Sequence, residues 1–283
     1  MIKQAIIPLA GLGTRLLPLT SVFAKELLPI NGKPGLEYIL NECIDAGIKE
    51  IIFIISKRKM MIKKYFYNDK FYKELIKKKK DTRVIAEYKK ILKYRKMIKF
   101  VFQNKPKGTG DAVLKTKKYI KDKYFLMLLP DDLIIKKNCS KSMISSHKKY
   151  KASVMASMNV NKKNVERWGI YKLNKKLNKT DYIINSVVEK PNIKDAPSNK
   201  AVIGRYILSK NIFSKLKNLK PSKGGEIHIT DAIQLLINDN EKFIAHNFSG
   251  KYLDCGSMEG YINSSKEIAK LWKFVWLVQV MLV

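Results

Sequence analysis

A short apolar run, Ala5-Ile6-Ile7, passes directly into a glycine loop, Ala10-Gly11-Leu12-Gly13, with Arg15 just behind it and Lys25 beyond. No other junction constrains the fold as much. A buried strand that ends in residues lacking Cβ atoms lets backbone N–H groups close on an anion. Gly11 and Gly13 supply that open backbone, and Arg15 and Lys25 are cations suited to polyphosphate. Two familiar phosphate loops are excluded. A dinucleotide fingerprint needs a third glycine where Leu16 stands, and no Gly-Lys-Ser/Thr follows Gly13. The same residues also suit a plain glycine turn with two surface cations, so the loop alone does not decide.

Beyond it, apolar runs alternate with helical patterns, which predicts βαβ units and an α/β fold with a Rossmann-like, mostly parallel (mixed) sheet flanked by helices. Residues 3–8, Ile51–Ile55, Lys99–Phe102 and Tyr124–Leu129 read as buried strands. Residues 34–46 space their apolar groups as a helix that Gly47 ends, and 59–96 read as a charged helical excursion over the sheet edge. After about residue 150 the strands alternate only loosely: Ala152–Met158, Ile170–Leu173, Tyr182–Glu189 and Ala201–Leu208. No repeat or linker intervenes. The expectation is one domain over 1–283, with lobes at 1–150 and 151–262 and a C-terminal segment at 263–283. Its apolar tail, 274–283, is too short to span a bilayer, which needs ~20 residues, and reads either as a dimer contact or as an altered chain end.

The net charge of +33 invites a nucleic-acid reading, but 51 of the 57 basic residues are lysine and they are scattered along the whole chain. Readers of phosphate and bases favour the arginine fork. With Ile, Asn, Tyr and Phe also abundant, a codon bias that loads the surface with lysine is the simpler account. Lys77–Lys80 and Lys115–Lys118 then read as solvated helix faces. Cys43, Cys139 and Cys255 have no metal-type spacing and read as reduced thiols. With no leader pattern at the N-terminus, a cytoplasmic protein is expected, without nucleic-acid or membrane partners.

Five further segments carry chemistry. Asp131 and Asp132 follow Leu128-Leu129-Pro130 at the end of a buried strand, where α/β sheets place ligands. Mg²⁺ favours one or two carboxylates there, together with phosphate oxygens and water; an acidic turn cap is the alternative. Gln103 precedes Gly108-Thr109-Gly110-Asp111-Ala112-Val113, which opens a helix. A helix start and a glutamine amide can jointly read a pyrimidine edge. In Val187-Val188-Glu189-Lys190-Pro191 the carboxylate can accept from sugar hydroxyls, while the ammonium neutralises a phosphate; a plain strand-to-turn tripeptide is the alternative. The last two are Gly224-Gly225-Glu226-Ile227 and Tyr252-Leu253-Asp254-Cys255-Gly256.

Together, Gly11–Arg15, Lys25-Glu26-Leu27-Leu28-Pro29 and these segments resemble the sugar-1-phosphate nucleotidyltransferase family, most closely its bacterial members that use UTP and glucose 1-phosphate. The resemblance covers residues 2–56 and 98–262 well. It implies that Ala10, Gly11, Gly13, Gln103, Gly108 and Glu226 bind substrate, with Gln103 and Gly108 at the uracil. It places Arg15, Lys25 and Lys190 as catalytic cations and Asp131 on Mg²⁺. Asp254 is a second metal ligand or a plain turn residue. Gly169, in Trp168-Gly169-Ile170, and Glu189 meet the sugar, with Asp132 also at the substrate. Where the common pattern of those enzymes reads Gly-Leu-Gly-His-Ala-Val, this chain has Asp111 in place of the histidine. The activity implied is uridylyl transfer from UTP to α-D-glucose 1-phosphate in a homo-oligomer. The rivals are thymidylyl transfer from dTTP and a non-catalytic regulatory paralogue.

Overall fold

The computed structural model describes residues 1–222 and 225–281. In chain order, β1 (Gln4–Pro8) leads through the glycine loop to a hairpin of β2 (Pro29–Ile30) and β3 (Lys33–Pro34), then to α1 (Gly35–Asp45) and β4 (Glu50–Ile55). Three helices, α2 (Met60–Tyr67), α3 (Asp69–Lys79) and α4 (Thr82–Met97), precede β5 (Ile98–Phe102). Then come α5 (Gly108–Leu114), β6 (Tyr124–Leu128), β7 (Asp132–Ile135) and α6 (Cys139–Tyr150). The second half runs β8 (Ser153–Asn159), β9 (Gly169–Lys176), β10 (Asp181–Glu189), β11 (Lys200–Ser209), α7 (Ile212–Asn218), α8 (Ile229–Asn238), β12 (Phe243–Asn247), β13 (Lys251–Asp254) and α9 (Met258–Met281).

Nine strands join in one sheet, ordered β5-β4-β1-β6-β11-β8-β12-β10-β9. The first four are parallel, as the continuous apolar runs predict. Beyond β6 the sheet is mixed, as its loosely alternating runs suggest: β11 runs antiparallel to both neighbours, as does β10, and only β8–β12 is parallel. The reason is connection length. Residues 177–180 join β9 to β10 with no room for the crossover that a parallel pair requires.

Successive strand residues face opposite sides, and helices cover both. Ile51, Phe53 and Ile55 meet one core, which Leu36 of α1, Phe66 of α2, Ile91 of α4 and Met143 of α6 complete. Ile52 and Ile54 meet the other, closed by Val113 of α5, Phe213 of α7 and Ile233 of α8. The α2–α4 excursion is therefore anchored: Phe66 packs its ring on Phe53 and Tyr94. Helix starts follow the local chemistry, with Asp81 and Asn138 accepting backbone N–H bonds ahead of α4 and α6. All three cysteines are buried and unpaired. Among the described residues no helix is long and apolar enough to cross a membrane. Gly224 and the side chains of the apolar tail 274–283 lie outside the described residues.

Candidate active site

The parallel strands order as 3-2-1-4, so the topology switches between β1 and β6, and ligands in such sheets sit beyond the strand ends at that point. The loops leaving β1, β5 and β6 meet there. They line a cavity of about 400 Å³ that gathers Ala10, Gly11, Gly13, Lys25, Gln103, Gly108, Asp131 and Glu226. A second cavity of about 370 Å³ gathers Arg15, Asp132, Gly169, Glu189, Lys190 and Asp254, and it too reaches Asp131. Every site residue expected from the sequence lines one of the two, and Asp131 lies where they meet. Arg15 opens on the second cavity, not on the one lined by its own glycine loop.

The Asp131 carboxylate accepts from Lys25 Nζ at 2.6 Å and lies 3.6 Å from the Arg15 guanidinium. Burial pushes its carboxyl up, but Lys25 above all, with Arg15, holds it below the usual carboxylate range. Burial likewise draws the Lys25 ammonium down, and Asp131 and Glu26 outweigh it to leave Lys25 above its ordinary value. Glu26 is itself tied to the buried Lys59, whose Nζ bonds its two oxygens at 2.7 and 2.8 Å.

Asp132 spends both oxygens on the protein. Oδ1 accepts from the Tyr252 hydroxyl at 2.6 Å and Oδ2 from the Gly204 N–H at 2.8 Å. Burial and the neighbouring Asp131 charge push it up to about 6. Asp132 thus fastens the turn while still lining the second cavity. Any Cβ at Gly204 would run into that same oxygen, so only glycine lets β11 approach so closely. The short ladder of β7 and β13 sets Asp254 opposite Asp132, and Asp254 Oδ1 accepts from the Gly256 N–H at 2.7 Å.

Gln103 is buried, and its amide is not free in the way the sequence suggests. Its Nε2 donates to Asp111 Oδ2 at 2.7 Å and to the Gly108 carbonyl at 3.1 Å. Gly108 has φ +91°, and a Cβ there would lie 2.9 Å from Ile227 N, so the 226–227 segment closes on the start of α5. In the second cavity, β10 pairs Glu189 with Gly169 across β9. The next residue, Lys190, takes a left-handed φ of 46°, and its N–H donates to the Trp168 carbonyl at 3.0 Å. A non-glycine residue in that region is a held strain of the kind that clusters at binding sites.

Sequence reasoning missed the group beneath the carboxylate turn. Arg205 is fully buried, donates to Glu42 Oε2 at 2.8 Å, and reaches the Leu129 and Asp132 carbonyls at 3.1 and 2.6 Å. The signal was present: an arginine inside the apolar run Val202–Leu208 must find a buried partner. Tyr252 was missed too, although it precedes Asp254 by two residues.

A doubly covered α/β sheet whose switch point joins a glycine loop, three cations and a carboxylate turn has the architecture of a nucleotide-handling enzyme. Comparison with known proteins specifies which kind. The nucleotidyl transferase profile matches residues 4–270, and the chain belongs to that family. It is 36% identical over 282 residues to UTP–glucose-1-phosphate uridylyltransferase 2 of Streptococcus pyogenes serotype M3, which spans 95% of this chain and 90% of that protein. Its fold is similar to the crystal structure of a UDP-glucose pyrophosphorylase complexed with UDP-glucose, with TM-score 0.83, 37% identity, and 95% and 99% of the two chains covered. It is also similar to the UTP-bound enzyme of the same kind from Acinetobacter baumannii, with TM-score 0.87, 32% identity and 99% of each chain covered.

Proposed function

We propose that the protein transfers a uridylyl group from UTP to α-D-glucose 1-phosphate, forming UDP-glucose and releasing pyrophosphate. One observation carries this reading: two cavities, one with a glycine loop and amide groups, the other with Glu189 and Lys190, share Asp131 at their junction. Relatives named for the same reaction at this level of identity support it. The sugar phosphate oxygen attacks the α-phosphorus, a P–O bond forms, and the bond to pyrophosphate breaks. Positioning and charge neutralisation are enough for such a displacement. Lys190 offsets the charge of the attacking phosphate, while Arg15, Lys25 and the glycine-loop N–H groups face the triphosphate. Glu189 accepts from the sugar hydroxyls.

Asp131 and Asp254 fit Mg²⁺, being carboxylates that line one cavity. Among the described residues no cluster of three or more metal-type side chains occurs. Mg²⁺ commonly takes one or two carboxylates and completes its shell with phosphate oxygens and water. When bound, it would neutralise charge between the reacting phosphates. The test is pyrophosphate release across a grid of nucleoside triphosphates and sugar 1-phosphates with Mg²⁺. UTP with glucose 1-phosphate should exceed every other pair; dTTP turning over as fast or faster would move the activity to thymidylyl transfer.

Two expectations probe the division of labour. Lys190→Ala should lower turnover with glucose 1-phosphate by about a hundredfold, the scale of one lost transition-state contact, while calorimetric UTP affinity stays within a few fold. Equal losses in both would assign Lys190 to the nucleotide or to the fold. The Arg15 side chain is 67% exposed and its contact with Asp131 is long, so Arg15→Ala should leave the melting temperature unchanged. UTP affinity should fall roughly tenfold, as for one charge-assisted contact, and UMP affinity much less. A selective rise in KM for glucose 1-phosphate would instead place Arg15 on the sugar phosphate.

A further inference from the structure

The amide of Gln103 is oriented by chemistry, and Asp111 supplies the deciding group. Both partners of Nε2, the Asp111 carboxylate at 2.7 Å and the Gly108 carbonyl at 3.1 Å, only accept hydrogen bonds. The NH₂ end must therefore face them, and both its protons are used. The residue is 4% exposed and its backbone N–H is bonded to the Ile55 carbonyl at 2.9 Å, which fixes the main chain that carries the amide. No described residue donates to Oε1, and Gln103 lines the first cavity. What the amide offers a bound molecule is an acceptor alone.

We propose that Asp111 is a specificity-determining positioning residue: by fixing the Gln103 amide it makes the cavity select a base that presents a ring N–H, such as uracil, over one that presents a ring lone pair, such as cytosine. This deepens the uridylyl-transfer reading and rests on it. Cytosine N3 facing Oε1 sets one lone pair against another. Turning the amide to meet it would break both Nε2 bonds and bring Oε1 against a carboxylate and a carbonyl. Asp111 is itself held for this role. It lies in the first turn of α5, where a negative charge is favoured, and its other oxygen lies 3.6 Å from Lys115 Nζ one turn on. The device does not involve the cations or the carboxylate turn, so it governs which nucleotide is accepted and not how fast it reacts.

The experiment is calorimetric binding of UTP and of CTP, each with Mg²⁺ and without sugar phosphate, to wild type, Asp111→Asn and Asp111→Ala. Binding alone is read, so the result does not depend on whether pyrophosphate is released; loss of that activity would count against the function reading separately. Wild type should bind UTP at least thirtyfold more tightly than CTP. Asparagine can donate to a turned amide and alanine no longer opposes one, so in both variants the preference should shrink at least tenfold, mainly through tighter CTP binding. The alanine variant keeps the experiment decisive if the asparagine one does not fold. A wild type without preference would overturn the proposal, as would variants that weaken both nucleotides in parallel and reduce Asp111 to a helix-start residue.

Discussion

Asp131→Asn is expected to lower turnover by at least about a hundredfold at saturating Mg²⁺, the scale of a lost transition-state charge contact of ~3 kcal/mol. Asparagine keeps the shape and one acceptor oxygen but removes the charge at the point where the two cavities meet. The structure adds a second readout. In the free protein this carboxylate is the closest partner of Lys25, whose side chain is only 14% exposed. Losing it leaves a desolvated ammonium undercompensated, at a cost of about 1–3 kcal/mol. The melting temperature without nucleotide should therefore fall by roughly 2–6 °C. Saturating UTP should close most of that gap, because phosphate replaces the missing anion at Lys25. A turn-capping role for Asp131 predicts otherwise, since asparagine caps nearly as well as aspartate. A variant that keeps more than about a tenth of wild-type turnover would sink the metal assignment.

What could be read in the sequence is what local pattern determines. Ile51–Ile55 announces a strand covered on both faces because every residue in it must be buried. Gly47 ends α1 with a positive φ, as its position after the periodic stretch implies. Asp131 could be placed because it comes just after a buried strand, where such sheets hold ligands, whereas Glu189 and Lys190 were placed only by their likeness to the family's sugar-phosphate segment. What depends on distant partners was not visible. Nothing near Gln103 in the pattern of strand and helix announces that Asp111 will claim its amide. Asp132 looks like a substrate carboxylate until Tyr252, 120 residues away, takes one of its oxygens. The direction of β11 and β10 escaped for a related reason: periodicity reports how many faces of a strand are covered, not which way its neighbours run.

Glu42→Gln should be the most destabilising single change at the site, although neither Glu42 nor its partner lines either cavity. Arg205 is fully buried and is joined to Glu42 across 163 residues of sequence. Removing the charge of one member leaves the guanidinium uncompensated in a medium that solvates it poorly, a loss of about 3–5 kcal/mol. In a chain of this size that corresponds to a melting temperature lower by roughly 6–10 °C. Stability is only half of the expectation. The same guanidinium holds the carbonyls of Leu129 and Asp132, the residues on either side of Pro130 and Asp131. The paired replacement Glu42→Leu with Arg205→Met separates the two effects. It removes both charges, and apolar substitutes for a buried ion pair are often neutral or better, so most of the melting temperature should return. Turnover should stay at least about tenfold down, because the turn carrying Asp131 has lost the donor that positions it. Calorimetry and pyrophosphate release on the same three proteins decide the matter. If turnover recovers along with stability, the pair merely fills the core and the carboxylate turn holds its geometry without it.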